Sequence, residues 1–143
     1  MKEIKRERIN FEVKKEIWNE YNLVDGAMLK IKCVLVKIFK IKEEKEAYNI
    51  NTDDVIGVIA PDKLLGQPSQ IKYSQKQLAD SIVEDDIDFK TTKEDWNEYM
   101  LSDGKVLKLK SVPTKIAKTS KFDSWGEPIY LVQTQAMAKS IQP

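Results

Sequence analysis

The chain has 143 residues, 24 Lys plus Arg against 23 Asp plus Glu, one cysteine and no histidine. That length fits one ordinary domain or two very small ones, and 41% hydrophobic against 33% charged residues implies a core beneath a densely charged surface. The missing histidines remove the commonest general base and the commonest zinc ligand, and the lone Cys33 excludes an internal disulfide. That fits a reducing, cytoplasmic setting. No apolar stretch approaches the roughly 20 residues that span a bilayer. Met1-Lys2-Glu3-Ile4-Lys5-Arg6-Glu7-Arg8 lacks the apolar run of a signal peptide, so no membrane association is expected.

The sequence is written twice. Residues 9–40 lie over 87–118 at a constant offset of 78 without gaps, and 18 of the 32 positions are identical. Average residue usage would give about two. The identities include Trp18/Trp96, Asn19/Asn97, Glu20/Glu98, Tyr21/Tyr99, Asp25/Asp103, Gly26/Gly104, Leu29/Leu107 and Lys30/Lys108. Beyond Lys40 the copies diverge. The next match sets 55–59 over 130–134 and Gln67-Pro68 over Gln142-Pro143, at an offset of 75. The expected organisation is a β repeat at 8–68, a connector at 69–85 and a second β repeat at 86–143.

Within each copy Asp-Gly between alternating residues predicts a β-hairpin. A two-residue loop at Asp25-Gly26 would set Glu20 against Ile31. A three-residue loop, Val24-Asp25-Gly26 with Gly26 in the left-handed bulge position, instead pairs Glu20 with Lys30, Trp18 with Lys32, Tyr21 with Leu29 and Asn19 with Ile31. The second copy then pairs Glu98 with Lys108, Trp96 with Lys110 and Tyr99 with Leu107. Opposite charges across a ladder stabilise it by a few tenths of a kcal/mol up to about 1 kcal/mol, so the three-residue loop is the prediction. It collects Tyr21, Leu23, Leu29 and Ile31 on one apolar face.

Alternation then places Val34, Val36 and Ile38 on the side of Lys30 and Lys32, and Cys33 and Leu35 on the other, so that the strand is covered on both faces. Pro113 predicts an edge or a bulge in the second copy. Third strands are expected at 54–60 and 129–136, the latter after the turn signal Trp125-Gly126-Glu127-Pro128. Between the repeats Ser74-x-x-Gln77 reads as a capping box, and Leu78 and Ile82 stand one turn apart, predicting a connector helix over 75–84. The fold class is therefore mostly β with one short helix, a tandem of small three-stranded meander or barrel-like units. Units of about 60 residues are marginal alone, and a shared apolar face about a pseudo-twofold axis relieves that shortage.

The candidate partner-binding residues are a repeated basic strip, Lys30, Lys32, Lys37 and Lys40 with Lys108, Lys110, Lys115 and Lys118, and the pair Trp18 and Trp96. Residues 105–121 hold six lysines and no acid, whereas 84–103 hold eight acids and two lysines. Lysines beside Trp and Tyr suit a β-barrel that binds a phosphate backbone and stacks bases. Set against this are the near-neutral total charge and the ordinary job of such lysines, a solvated face paired with Glu20 and Glu98. The repeated carboxylates Glu16, Glu20 and Asp25, with Glu94, Glu98 and Asp103, are candidates for acid–base work or for binding a hard cation. Asp25 and Asp103 have a turn to form, and Glu20 and Glu98 face lysines. No EF-hand loop, Walker A motif, dinucleotide turn or nucleophile elbow is present, and Cys33, between Ile31 and Leu35, reads as core. The resulting expectation is a non-catalytic interaction or assembly module without cofactor or metal, binding a protein partner or itself. Nucleic-acid binding is the alternative.

Overall fold

The computed structural model describes residues 6–41 and 47–142; Pro143, one end of the sequence match at Gln142-Pro143, lies outside the described residues. The first half supplies strands β1 (Arg6–Arg8), β2 (Phe11–Lys15), β3 (Asn19–Leu23), β4 (Met28–Ile41) and β5 (Tyr48–Ile59). A 3₁₀ turn at Asp62–Leu64 and helix α1 (Gln75–Ala79) lead to β6 (Ile82–Glu84), β7 (Phe89–Lys93), β8 (Asn97–Leu101), β9 (Val106–Phe122) and β10 (Pro128–Ile141).

The strands form two antiparallel sheets. In one, β1, β3 and β5 pair with β4, and β7 pairs with β3; in the other, β6, β8 and β10 pair with β9, and β2 pairs with β8. The predicted hairpin register is observed: Glu20 faces Lys30, Tyr21 faces Leu29, Glu98 faces Lys108 and Tyr99 faces Leu107. Gly26 and Gly104 turn at φ 101° and 92°, the left-handed conformation that the three-residue loop requires and that a Cβ disfavours. Asp25 and Asp103 close the loops by accepting the amides of Ala27 and Lys105 at 2.9 and 3.0 Å.

The first strands cross over. β2 adds to the hairpin of the second half and β7 to the hairpin of the first. Neither Glu16-Ile17-Trp18 nor Glu94-Asp95-Trp96 carries the glycine of a tight hairpin turn, so β2 and β7 run on into the opposite sheet instead of folding back. Each core is consequently mixed. One gathers Tyr21, Leu23, Leu29 and Ile31 with Ile87, Ile116 and Tyr130; the other gathers Tyr99, Leu101, Leu107 and Leu109 with Cys33, Leu35 and Ile38. The long strands β4 and β9 each begin in one core and end in the other. Edge-to-face rings repeat the exchange, Phe11 on Tyr99 at 5.8 Å and Tyr21 on Phe89 at 5.7 Å.

Three local expectations are corrected. First, β4 bulges between Leu35 and Lys37, and β9 bulges at the equivalent place beside Pro113. The extra residue shifts the period-two alternation by one, so Val36 is 45% exposed while Ile38 is fully buried with Leu35. Ile38 thus joins the face of Leu29 and Ile31, and the strand is not apolar on the Lys30 side as alternation alone implied. Second, the helix ends at Ala79. Its capping box is present, Ser74 Oγ accepting from Gln77 N at 3.1 Å and the Gln77 side chain from Ser74 N at 2.8 Å. Ile82–Glu84 is a strand that pairs with β9 at Thr119 and Lys118, covering a stretch of the β9 edge that a continued helix would leave unpaired. Third, the third strands are longer than predicted and correspond at an offset of 82, not 75. Lys40 pairs with Tyr48 as Lys118 pairs with Tyr130, and Met28 pairs with Ile59 as Val106 pairs with Ile141.

Candidate functional site

The basic residues do not form one strip. Lys30 and Lys32 lie on the outer face of the first sheet, opposite the buried Leu29, Ile31 and Cys33. Their ammonium groups stand 4.7 and 5.6 Å from the ring centre of Trp18. Lys108 and Lys110 lie on the outer face of the second sheet. Lys110 is 4.6 Å from the Trp96 ring and 3.1 Å from Glu94, and Lys108 is 3.9 Å from Glu98. Lys139 of β10, which pairs with Lys108, covers the same Trp96 ring at 4.7 Å. Its sequence context gave no sign of this, because the third strands do not align by identity. Cation–π contacts of this kind stabilise by about 0.5–1 kcal/mol at exposed positions. Both indoles therefore already carry lysines from their own sheet.

The remaining four lysines sit elsewhere. Lys37 is exposed beside the β4 bulge, and Lys115 pairs with Asp85 at 3.2 Å on the surface. Lys40 and Lys118 reach across to the hairpin turns of the opposite half, where they meet Asp103 at 3.5 Å and Asp25 at 3.1 Å. Tyr48 and Tyr130 donate their hydroxyls to the same two carboxylates, Tyr130 to Asp25 at 2.5 Å. Burial opposes the charged form of Asp25, but the Tyr130 hydroxyl, the Ala27 amide and Lys118 outweigh it and hold the carboxyl below its ordinary range. Asp103 is lowered in the same way by Tyr48, the Lys105 amide and Lys40. These groups are fastenings between the halves.

Other repeated polar residues also work across the halves. Tyr21 donates to Glu94 at 2.8 Å and Tyr99 to Glu16 at 2.9 Å. Both phenols are raised well above their ordinary pKa, first by burial and then by the neighbouring carboxylate. Asn19 and Asn97, 4% and 2% exposed, accept the amides of Asp95 and Ile17 at 3.0 and 2.9 Å. At the seam between β4 and β9, Ser111 and Thr134 donate to Asp54 at 2.6 and 2.8 Å. Cys33 is buried there and burial pushes its thiol up to about 11, which keeps it protonated and unreactive. Among the described residues no group of three or more His, Cys, Asp or Glu is placed to hold a metal ion.

Among the described residues, each sheet has one long outer edge that no strand pairs. β5 and β10 are the terminal strands on one side of each sheet, 12 and 14 residues long. Val55, Ile56 and Ile59 on β5 and Met137 and Ile141 on β10 are 39–51% exposed. β5 and the start of β10 line an open groove, with Ile56, Val58, Trp125, Glu127, Ile129 and Val132 on its walls. Trp125 is 83% exposed. Sequence reasoning treated it only as part of a turn signal, and a single unrepeated Trp offered no pattern to mark it. Among the described residues no helix is long and apolar enough to cross a membrane. No family model, curated protein or solved structure matches the chain.

Proposed function

We propose that the protein is a non-catalytic interaction module that binds a protein partner, or a second copy of itself, along the free edges of β5 and β10. The observation that carries this reading is the length of those edges and their uncharged stretches, 55–59 of β5 and 128–138 of β10. Natural sheets usually shield an edge with charge, proline, bulges or a covering element, because a bare edge recruits another strand. Here residues 135–139 of β10 are exposed on both faces, and Lys139 is the one charge among them. Four of the six repeated carboxylates, Glu16, Asp25, Glu94 and Asp103, and two of the eight candidate lysines, Lys40 and Lys118, join the two halves, and all the other lysines but Lys37 lie against Trp18, Trp96, Glu98, Glu94 or Asp85. That supports the non-catalytic reading and removes much of the basic surface that nucleic-acid binding would use.

The test is capture of partners from the native host, combined with light scattering, on the natural chain and on Ala136→Lys/Ala138→Lys. Both alanines are exposed on the β10 edge, so the variant keeps its melting temperature while placing two charges where a strand would add. Loss of the captured protein, or of concentration-dependent mass above 16.5 kDa, is the expected result. An identical captured set and identical mass for both proteins would sink the edge reading. Retardation of DNA or RNA at low salt, falling steeply as salt is added, would replace it with the nucleic-acid alternative.

A further inference from the structure

We propose that the groove between β5 and β10 takes an extended segment of a partner protein that lays a lysine or arginine side chain over Trp125. This rests on the reading of the protein as an interaction module and specifies the chemistry of the partner.

The chain contains three tryptophans, and two of them show how it treats an indole on a sheet surface. Trp18 is covered by Lys30 and Lys32, and Trp96 by Lys110 and Lys139, with ammonium-to-ring distances of 4.6–5.6 Å. Trp125 has no such cover among the described residues and is 83% exposed. Its surroundings have the opposite charge. The groove is lined by Asp123 and Glu127 and by no lysine or arginine. An indole face beside two carboxylates attracts a cation twice over, through the ring quadrupole and through charge. The same carboxylates repel a phosphate backbone or an acidic peptide.

The turn also fixes the backbone that carries Trp125. Asp123 Oδ1 accepts the amides of Trp125 and Glu127 at 2.8 and 2.9 Å, and Gly126, buried at φ 80°, donates to the Asp123 carbonyl at 3.1 Å. Gly66 N donates to the Gly126 carbonyl at 2.9 Å, and Ala60 N donates to the Glu127 carboxylate at 2.9 Å. A Cβ on Gly126 would come within 2.7 Å of the Gly66 carbonyl oxygen, so the two glycines pack the turn against the segment that follows the 3₁₀ turn, while the Ala60 bond ties it to the end of β5. With its backbone fixed, the indole has only two side-chain torsions to order when it is covered. The apolar walls, Ile56, Val58, Ile129 and Val132, belong to two terminal strands, which suits a segment in strand conformation with β-branched residues flanking the cation.

A random heptapeptide display library selected against the full chain tests this, followed by NMR titration of an enriched peptide into the natural protein, Trp125→Ala and Trp125→Phe. The expected outcome is enrichment of peptides with Lys or Arg between Val, Ile or Thr. Their shifts centre on the Trp125 indole N–H and on the amides of 56–58 and 129–132. Trp125→Ala should weaken binding by about tenfold and Trp125→Phe by less, as befits loss of a cation–π contact and its covering surface. Both variants keep the natural melting temperature, because the side chain is solvent-exposed. Enrichment of neutral or acidic peptides would overturn the cationic partner and leave the interaction module standing. Peptides that bind Trp125→Ala equally well, with shifts along 134–141, would overturn the groove and likewise leave the module. Groove shifts that grow with protein concentration in the absence of peptide would assign the site to a second copy and overturn a foreign partner. No enrichment over a bare support would overturn the proposal, and the module falls with it only if host capture and light scattering are also negative.

Discussion

Cutting the chain between Gln70 and Ile71 should leave two fragments that are unfolded alone and fold on mixing. Ile71 is 62% exposed, so the cut itself removes little packing. The first fragment would keep Tyr21, Leu23, Leu29 and Ile31 on its hairpin but lose Ile87, Ile116 and Tyr130, which cover them. Its Leu35 and Ile38 would lose Tyr99, Leu101, Leu107 and Leu109 altogether. Full burial of such a side chain is worth about 1.5–3 kcal/mol. Losing half of the burial over these six residues therefore costs about 5–9 kcal/mol, comparable to the whole stability of a small domain. The fragment also forfeits β7, the Asn19 and Tyr21 hydrogen bonds and the Lys118–Asp25 pair. Circular dichroism of each fragment and calorimetric mixing measure this. A fragment 1–70 with a cooperative melt of its own, or fragments that do not associate when mixed, would refute the claim that the exchanged strands hold the fold together.

Tyr21→Phe removes the hydroxyl that donates to the Glu94 carboxylate, and a hydrogen bond to a charged group is worth about 1.5–3 kcal/mol. Urea unfolding should show a loss near the lower end of that range, since Lys110 still pairs with Glu94; an unchanged midpoint would deny the bond its role. Tyr21, Tyr99 and Tyr130 have raised pKa values, from burial first and then from Glu94, Glu16 and Asp25. Their stabilisation is complete below the unfolded tyrosine value of about 10 and is lost as pH climbs above it. Absorbance at alkaline pH should accordingly show these phenols ionising only as the fold is lost, and full reversible ionisation of all five with the far-ultraviolet spectrum intact would contradict it. Asp25 and Asp103 have lowered values, so their contribution is present above the unfolded carboxylate value of about 4 and disappears as pH falls below it. Asp25→Asn should lower stability at neutral pH and flatten the acid limb of the stability curve, whereas a limb of unaltered steepness would place the acid sensitivity elsewhere.

The residues that repeat at the 78-residue offset served different ends than their positions suggested. Asp25 and Asp103 do form the turns for which their sequence context marked them, but each also receives a lysine and a tyrosine from the other half. Glu16 and Glu94 stood out as paired carboxylates; they act as acceptors for buried phenols of the opposite hairpin. Trp18 and Trp96 lie beside the lysines of their own sheet, in keeping with the predicted hairpin register. None of the cross-half bonds could be read beforehand, because a repeat shows which residues are equivalent without showing which copy supplies the partner. Trp125 was missed for the converse reason: it has no counterpart, and its exposure depends on where β5, β10 and Gly66 meet.

Local chemistry was sufficient for the hairpins. Asp-Gly, the Glu–Lys pairs and the period-two alternation act over a few residues, and they set loop length, register and the apolar face without reference to the rest of the chain. The same holds for the Ser74 cap of α1, though not for the helix's end, where the competing strand pairing at Thr119 lies 37 residues away from Ile82 in sequence. The crossing of β2 and β7 between sheets, the change of phase at the β4 and β9 bulges and the bare edges of β5 and β10 were decided only by tertiary structure. Each depends on which strands are available to pair and which faces remain to be covered, and those are properties of the assembled sheets.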